Sequence, residues 1–490
     1  MCAAVRLREN PVSDVDFAAD EPLRAGGFAS GFASPPRLII RIKLMRENER
    51  SFEMKSVNRK ILSLAIPALG SLLAEPLMIL ADSAMIGHVG TTELAGLTLG
   101  ASVNAFVVGI DIFLVYTTTA VASRHLGAGR RQAAIKTGVD GSWLGVIIGL
   151  AVALLLFVFA PQIIALFRAN AALSYQGVIY LRAAAPSMVG MMLVLAGTGA
   201  MRGQLDARTP LIISVAGAVL NVILNACFIY GLNLGVLGAG IGTSLASTLM
   251  GLSFGVIIVL QAKRAQVSFR PQFRGIFASL KDGIPLMIRT LTMHGVILST
   301  LWVAASQGEV SVAGRQIAAN TWTLSANLLD ALAIASQSLI GFELGRGDKA
   351  GVRELISRVR AWGVGVGCLL GLVVAACATV WPLVFTSDPK VIAAASAALL
   401  VSAFFEPLAG LVFIYDGILI GANDAWYLAA VGIINLAIYL PFLTAVWLLA
   451  PSGTCGLAWL WGCYCCVFFT ARALTLGLRL RQDTWMHLER

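Results

Sequence analysis

Residues 61–90 read ILSLAIPALGSLLAEPLMILADSAMIGHVG. The stretch is long and apolar enough to cross a hydrocarbon core of about 30 Å, yet Pro67, Glu75, Pro76 and Asp82 stand inside it. A carboxylate at the centre of a membrane helix costs about 2.5–3.5 kcal/mol on insertion scales, so it turns toward protein or a water-filled cavity. Asp82 is therefore the first functional candidate. Glu75, two turns earlier, falls on nearly the same face. Pro67 and Pro76 each remove a backbone donor and are expected to bend the helix beside these acids.

The whole chain shares this character. Of its 490 residues 58% are hydrophobic and 13% charged, which excludes a soluble globular protein and defines a polytopic membrane protein. From Ile61 onward, twelve apolar runs separated by short polar turns are read at 61–86, 93–122, 138–160, 172–200, 209–230, 236–261, 280–304, 310–341, 360–385, 391–420, 426–449 and 455–478. Residues 1–58 are polar and lack a sustained period, so they are expected to form a disordered or weakly ordered cytoplasmic extension. The alternative is an amphipathic surface helix over RLIIRIKLM, Arg37–Met45. The opening MCAAVRLRENP lacks the apolar run of a secretory signal, which leaves the first span as the targeting element.

The net charge of +10 is a topology signal, with no need for a nucleic acid partner. With the N-terminus inside, the inner segments hold Arg124, Arg130, Arg131 and Lys136, then Arg202 and Arg208, then the basic stretch from Lys263 to Lys281. Later inner segments add Arg346, Lys349, Arg353, Arg358 and Arg360, and finally Arg472, Arg479, Arg481 and Arg490; the outer loops hold only Arg168 and Lys390. Both termini are expected in the cytoplasm.

The chain also repeats itself. Pro67 and Pro285, Gly90 and Gly308, Leu126-Gly127 and Leu344-Gly345, Gly203 and Gly421, and Asp206-Ala207 and Asp424-Ala425 are each 218 residues apart. The spans are thus two copies of six: a bundle over 59–262, a linker over 263–279, a second bundle over 280–480 and a tail over 481–490. Six is even, so both copies run the same way, a transporter architecture with a site between the halves.

These residues carry a resemblance. IPALGSLLAEPLMILADSAMIGHVG, LGAGRRQAA, MRGQLDARTP, VLNVILNACFIYG and GVLGAGIGTSLAS, followed by IPLMIRTL, LLDALAIASQSLIGFELGRGD and IYDGILIGANDA, resemble the multidrug and toxic compound extrusion (MATE) family, in its DinF-like branch, over about 61–480. The resemblance implies two six-helix bundles around a V-shaped cavity. It implies export of organic cations or amphipathic toxic compounds in exchange for H⁺ or Na⁺, with no cofactor. Asp82 matches a first-helix aspartate thought to couple transport to protonation, and Asn221 and Thr243 match polar positions proposed around it. Asn225 departs from the pattern, since a subset of members carries a second aspartate there; an amide does not ionise, which favours H⁺ on the single carboxylate. A bacterial inner membrane is the simplest host, and one chain suffices.

Asp111, Asp330, Glu406 and Asp416 are further acids at membrane depth and, with Glu75, are candidates for the substrate cavity. Glu75 contacts a cationic substrate or pairs with Arg289 or Arg315. Asp206 and Asp424 read as helix caps at inner turns. The intramembrane charges are mainly acids, with Arg182, Arg289 and Arg315 as exceptions. That balance favours cations over the other reading of such a fold, a flippase or exporter for a lipid-linked or anionic metabolite. Trp143, Trp302, Trp322 and Trp426 read as interface anchors or packing, and the cysteines of Cys463, Cys465 and Cys466 as helix packing. The histidines lack the spacing of a metal set. No HExxH, GxxxxGK or supported Ser/His pair points to an enzyme.

Overall fold

The computed structural model describes the backbone of residues 36–451 and 453–486, and side chains from Val57 onward except that of Glu75. The chain divides into two units, 1–54 and 55–490, and the second holds all the membrane-crossing helices. The expected disorder over 1–58 lies outside the described residues up to 35. From Pro36 the backbone is helical, in α1, Pro36–Gly87. No glycine or proline stands between Pro36 and Pro67 to end a helix.

Among the described residues, eleven helices are long and apolar enough to cross a membrane, and a bent pair makes a twelfth. The span of α1 is Val57–Gly87, followed by α2, Thr91–Gly127, and α3, Arg131–Ala165. The bent pair, α4, joins Ala171–Ala184 to Ser187–Gly203 at an angle of 53°. Pro186 at the break supplies no N–H to the ladder. Then come α5, Arg208–Gly231; α6, Gly235–Arg264; α7, Phe273–Ser306; α8, Glu309–Arg346; α9, Lys349–Cys377; α10, Pro389–Gly421; α11, Ala425–Leu449; and α12, Thr454–Arg481. Among the described residues there is no strand.

Helix packing follows side-chain size. On α3, Gly138, Gly141, Gly145 and Gly149 form one buried stripe, and Ile147, Leu150, Leu154 and Phe157 form an exposed one. The stripe of small residues lets the backbones of α3 and α4 approach, while the bulky stripe faces the lipid.

Helices α2, α3, α4 and α6 pack among themselves, as do α8, α9, α10 and α12, and the two groups meet chiefly where α2 crosses α8. That crossing obeys the repeat. A Cβ on Gly127 would run into the carbonyl oxygen of Phe342, and one on Gly345 into that of Arg124. Arg124 and Phe342 are themselves 218 residues apart, so the contact is reciprocal. Arg124 adds a hydrogen bond from Nη2 to the carbonyl of Ala422, 2.8 Å.

Helix α1 belongs to neither group alone. Its Ala68 packs on Ala331 and Ile334 of α8, and Asn58 Oδ1 accepts from Trp362 Nε1 of α9 at 3.0 Å. Toward its other end, Tyr230 of α5 donates to the carbonyl of Met85 at 2.8 Å.

Candidate functional site

The first cluster lies between α1, α5 and α6. Asp82, 5% exposed, accepts a 2.5 Å hydrogen bond at Oδ1 from Asn225 Nδ2. The same amide reaches Asn221 Oδ1 at 3.3 Å, and Asn221 Nδ2 donates to Thr243 Oγ1 at 3.4 Å. Helical spacing explains the row: Asn221 and Asn225 are one turn apart on α5. Gly242 of α6 admits the second amide, because a Cβ there would collide with Asn225 Oδ1. That oxygen is buried without a hydrogen-bond partner among the described residues. All four residues expected at the coupling site thus come together, with a neutral amide as the carboxylate's partner.

The second feature is a cavity between the halves, with two lobes. One lobe, about 240 Å³, is walled by Ser71, Leu72 and Met78 of α1, Tyr116 of α2, Met191, Thr198 and Arg202 of α4, and Asp330 of α8, among others. The other, about 320 Å³, is walled by Arg289 and His294 of α7, Asp330 and Gln337 of α8, Asp416 of α10, and Arg472 of α12, with Tyr116 again. Gly109, Ile112, Tyr116, Asp330 and Ile334 are common to both lobes.

Charge is distributed unevenly around it. Arg289 Nη2 donates to Asp416 Oδ2 at 2.6 Å, and Arg472 Nη2 donates to the same oxygen. Two buried guanidinia therefore share one carboxylate. Arg202, 6% exposed, donates from Nη2 to Ser71 Oγ at 3.0 Å, and its Nε has no partner among the described residues. Asp330 forms no ion pair within 4.0 Å among the described residues.

The sequence-predicted acids separate accordingly. Asp330 and Asp416 line the cavity. Asp82 lies outside its wall, as do Asp111, buried at 6% exposure, and Glu406, buried at 1% beside Pro407. Glu406 Oε2 is buried without a hydrogen-bond partner among the described residues. Neither Asp111 nor Glu406 lines either lobe, which departs from the expected placing of both in the cavity; the Cβ of Glu406 packs against Gly371 of α9. The expected cavity role of Glu75 falls on a side chain outside the described residues. Its two suggested partners are engaged elsewhere, Arg289 with Asp416 and Arg315 with the carbonyl of Ile297 at 3.3 Å. Pro67 and Pro76 both lie inside α1, which stays helical through them.

Two further expectations change. Asp206 caps its helix as read, accepting from the backbone of Arg208 and Thr209 at 2.9 and 3.1 Å, whereas Asp424 pairs with Arg479 at 2.7 Å. Arg202 and Arg472, assigned to inner segments by the charge count, are buried on the cavity wall. A signal was present for Arg472 alone, which stands six residues inside the end of its apolar run at 478; Arg202 lies two residues beyond its run, which ends at 200. The aromatic residues Trp143, Trp302, Trp322 and Trp426 are absent from both lobes' walls.

A duplicated helical membrane protein with a charged cavity between its halves is a transporter. The chain belongs to the MatE family, matched over residues 67–227 and 285–445, the two copies again 218 residues apart. It is 30% identical over 448 residues to Protein DETOXIFICATION 44, chloroplastic, of Arabidopsis thaliana, covering 88% of this chain and 82% of that protein. It is 26% identical to the multidrug resistance protein MdtK of Yersinia pestis, covering 81% and 86%. The Vibrio cholerae MATE transporter VcmN in its bent form superposes with a TM-score of 0.80 at 22% identity, covering 89% of this chain and 99% of that one. This protein is a multidrug and toxin efflux transporter of that family, with a multi-pass fold in the membrane.

Proposed function

We propose that the protein is a secondary antiporter in which inward H⁺ or Na⁺, taken at Asp82, drives outward movement of amphipathic small molecules through the central cavity. The observation that carries this reading is the buried carboxylate of Asp82 on α1, the helix that also gives the cavity Ser71 and Met78, held by the neutral amide of Asn225 on α5. A carboxylate whose partner is a neutral amide can gain or lose a proton without stranding a second ion. Helix α1 touches both halves, so a change in the Asp82 bond that shifts α1 also shifts the cavity wall. Coupling requires that ion and substrate each bind the two arrangements unequally. Pro67 and Pro76, each removing a ladder bond, are the bending points.

The single ionisable group favours H⁺. The unpartnered Asn225 Oδ1 beside it is the observation that keeps Na⁺ as the second reading. The organic-cation expectation rested on an excess of intramembrane acids. The cavity wall instead carries three guanidinia, Arg202, Arg289 and Arg472, against two carboxylates, Asp330 and Asp416. That balance supports the other reading, a substrate bearing an anionic group.

The distribution of Lys and Arg supports cytoplasmic termini and a bundle boundary in the basic linker. The motifs quoted above support the DinF-like branch. A relative named chloroplastic makes a plastid membrane an alternative to a bacterial inner membrane. One chain forms the whole cavity, which supports a functional monomer. The test is dye export from proteoliposomes under an imposed pH gradient and, separately, an imposed Na⁺ gradient. One gradient is expected to drive transport and so name the ion; transport driven by neither refutes the antiport reading.

A further inference from the structure

The cavity holds two charges of opposite sign that face the same space, and neither forms a direct ion pair among the described residues. Arg202 is nine-tenths buried, and its hydrogen bond among the described residues is to a neutral hydroxyl. Its Nε has no partner at all among the described residues. Asp330 is the leading opposite charge that Arg202 feels, but it acts across the lobe with no ion pair within 4.0 Å, so an oxyanion bound directly by the guanidinium supplies a contact that the described residues do not. Asp330 stands on the wall common to both lobes and likewise makes no ion pair within 4.0 Å among the described residues. By contrast, Asp416 is fully engaged by Arg289 and Arg472.

We propose that, within the export reading above on which this rests, the substrate class is an amphipathic zwitterion, its carboxylate or similar oxyanion bound by Arg202 and its cationic group facing Asp330. A simple cation would satisfy Asp330 and leave the guanidinium of Arg202 further desolvated. A simple anion would satisfy Arg202 and meet Asp330 with like charge. Only a ligand carrying both charges answers both groups. The remaining wall of the first lobe is largely apolar, with Leu72, Met78, Met191 and Val194, and takes the uncharged body of the molecule. The cluster of two guanidinia on one carboxylate carries one formal positive charge, which Asp330 on the same wall balances, so the second lobe is formally neutral and leaves the discrimination to Arg202 and Asp330.

The experiment uses two dyes that differ in one group, a rhodamine with a free benzoate, which is a zwitterion, and its methyl ester, which is a cation. Binding of each to the full chain in detergent is read by fluorescence anisotropy. The acid is expected to bind about tenfold or more tightly than the ester, the scale of one charge-assisted hydrogen-bonding contact. Arg202→Gln is expected to bring the two affinities within about threefold, chiefly by weakening the acid. Arg202→Lys, which keeps the charge, should retain part of the preference and shows that the site still folds. Tighter binding of the ester, or an acid-to-ester ratio unchanged in Arg202→Gln, overturns the proposal. If the acid binds through Arg202 but no ion gradient moves it in proteoliposomes, the antiport reading fails while the binding class stands.

Discussion

Asp82 and Asp416 are both aspartates buried at membrane depth, one in each half, and their partners differ. Asp82 is met by the amide of Asn225, and Asp416 by the guanidinia of Arg289 and Arg472. A carboxylate with a neutral partner can change its charge without stranding another ion. Neutralising Asp416 would strand two buried cations. The repeat thus produced two copies of one scaffold and divided the labour between them: a group that can switch in the first half, and a fixed charge cluster on the cavity wall in the second.

The largest effect that would sharpen this contrast is the loss of the cluster. Asp416→Asn is expected to destabilise the protein by about 3–5 kcal/mol, read as a fall in the thermal midpoint of the detergent-solubilised protein. A midpoint shift no larger than that of Asp82→Asn would erase the distinction.

Next comes the crossing that the two halves share. Gly127→Ala and Gly345→Ala each place a methyl against a backbone carbonyl of the other half, with an expected cost of about 1–3 kcal/mol. Gly365→Ala on α9 meets open space and serves as the reference, expected to be neutral or slightly stabilising. Equal penalties at the two crossing sites would show that the reciprocal contact is symmetric in energy as well as geometry.

A smaller effect is expected at the row of amides. Asn221→Ala removes hydrogen bonds to Asn225 and Thr243 without touching Asp82, and should cost about 1 kcal/mol while shifting the pH dependence of transport. An unchanged pH profile would mean that the row merely packs. Least of all, Trp302→Ala on an exposed face should leave transport intact, since the ring packs at a tilt against Trp447 and lines neither lobe of the cavity. A large loss of transport there would place the substrate path elsewhere.

Much of this was written in the sequence. Twelve apolar runs and a constant offset of 218 sufficed for the duplicated helical fold, because lipid forces the backbone into helices whose lengths are legible. Asp82, Asn221, Asn225 and Thr243 were legible because helical spacing and resemblance agreed on them. The cavity's polarity was not. Arg202 and Arg472 occur among residues that, by count alone, report orientation. The position of Arg472 inside its run hinted at membrane depth, but only three-dimensional packing shows that both side chains are buried on the cavity wall. Likewise Glu406 and Asp416 are ten residues apart on one helix, and nothing in one dimension says that the second meets two arginines while the first meets a helix contact.

The central claim is that Asp82 couples an ion gradient to export while leaving the cavity intact. It is tested most directly by comparing gradient-driven transport with substrate exchange at equilibrium, in wild type and Asp82→Asn proteoliposomes. The account predicts that the variant still binds its dye but no longer concentrates it under either gradient, with a thermal midpoint close to wild type. Gradient-driven accumulation at the wild-type rate in Asp82→Asn would contradict it and move the search for the coupling group to Asp330 and Glu406, the buried acids of the second half that form no ion pair among the described residues.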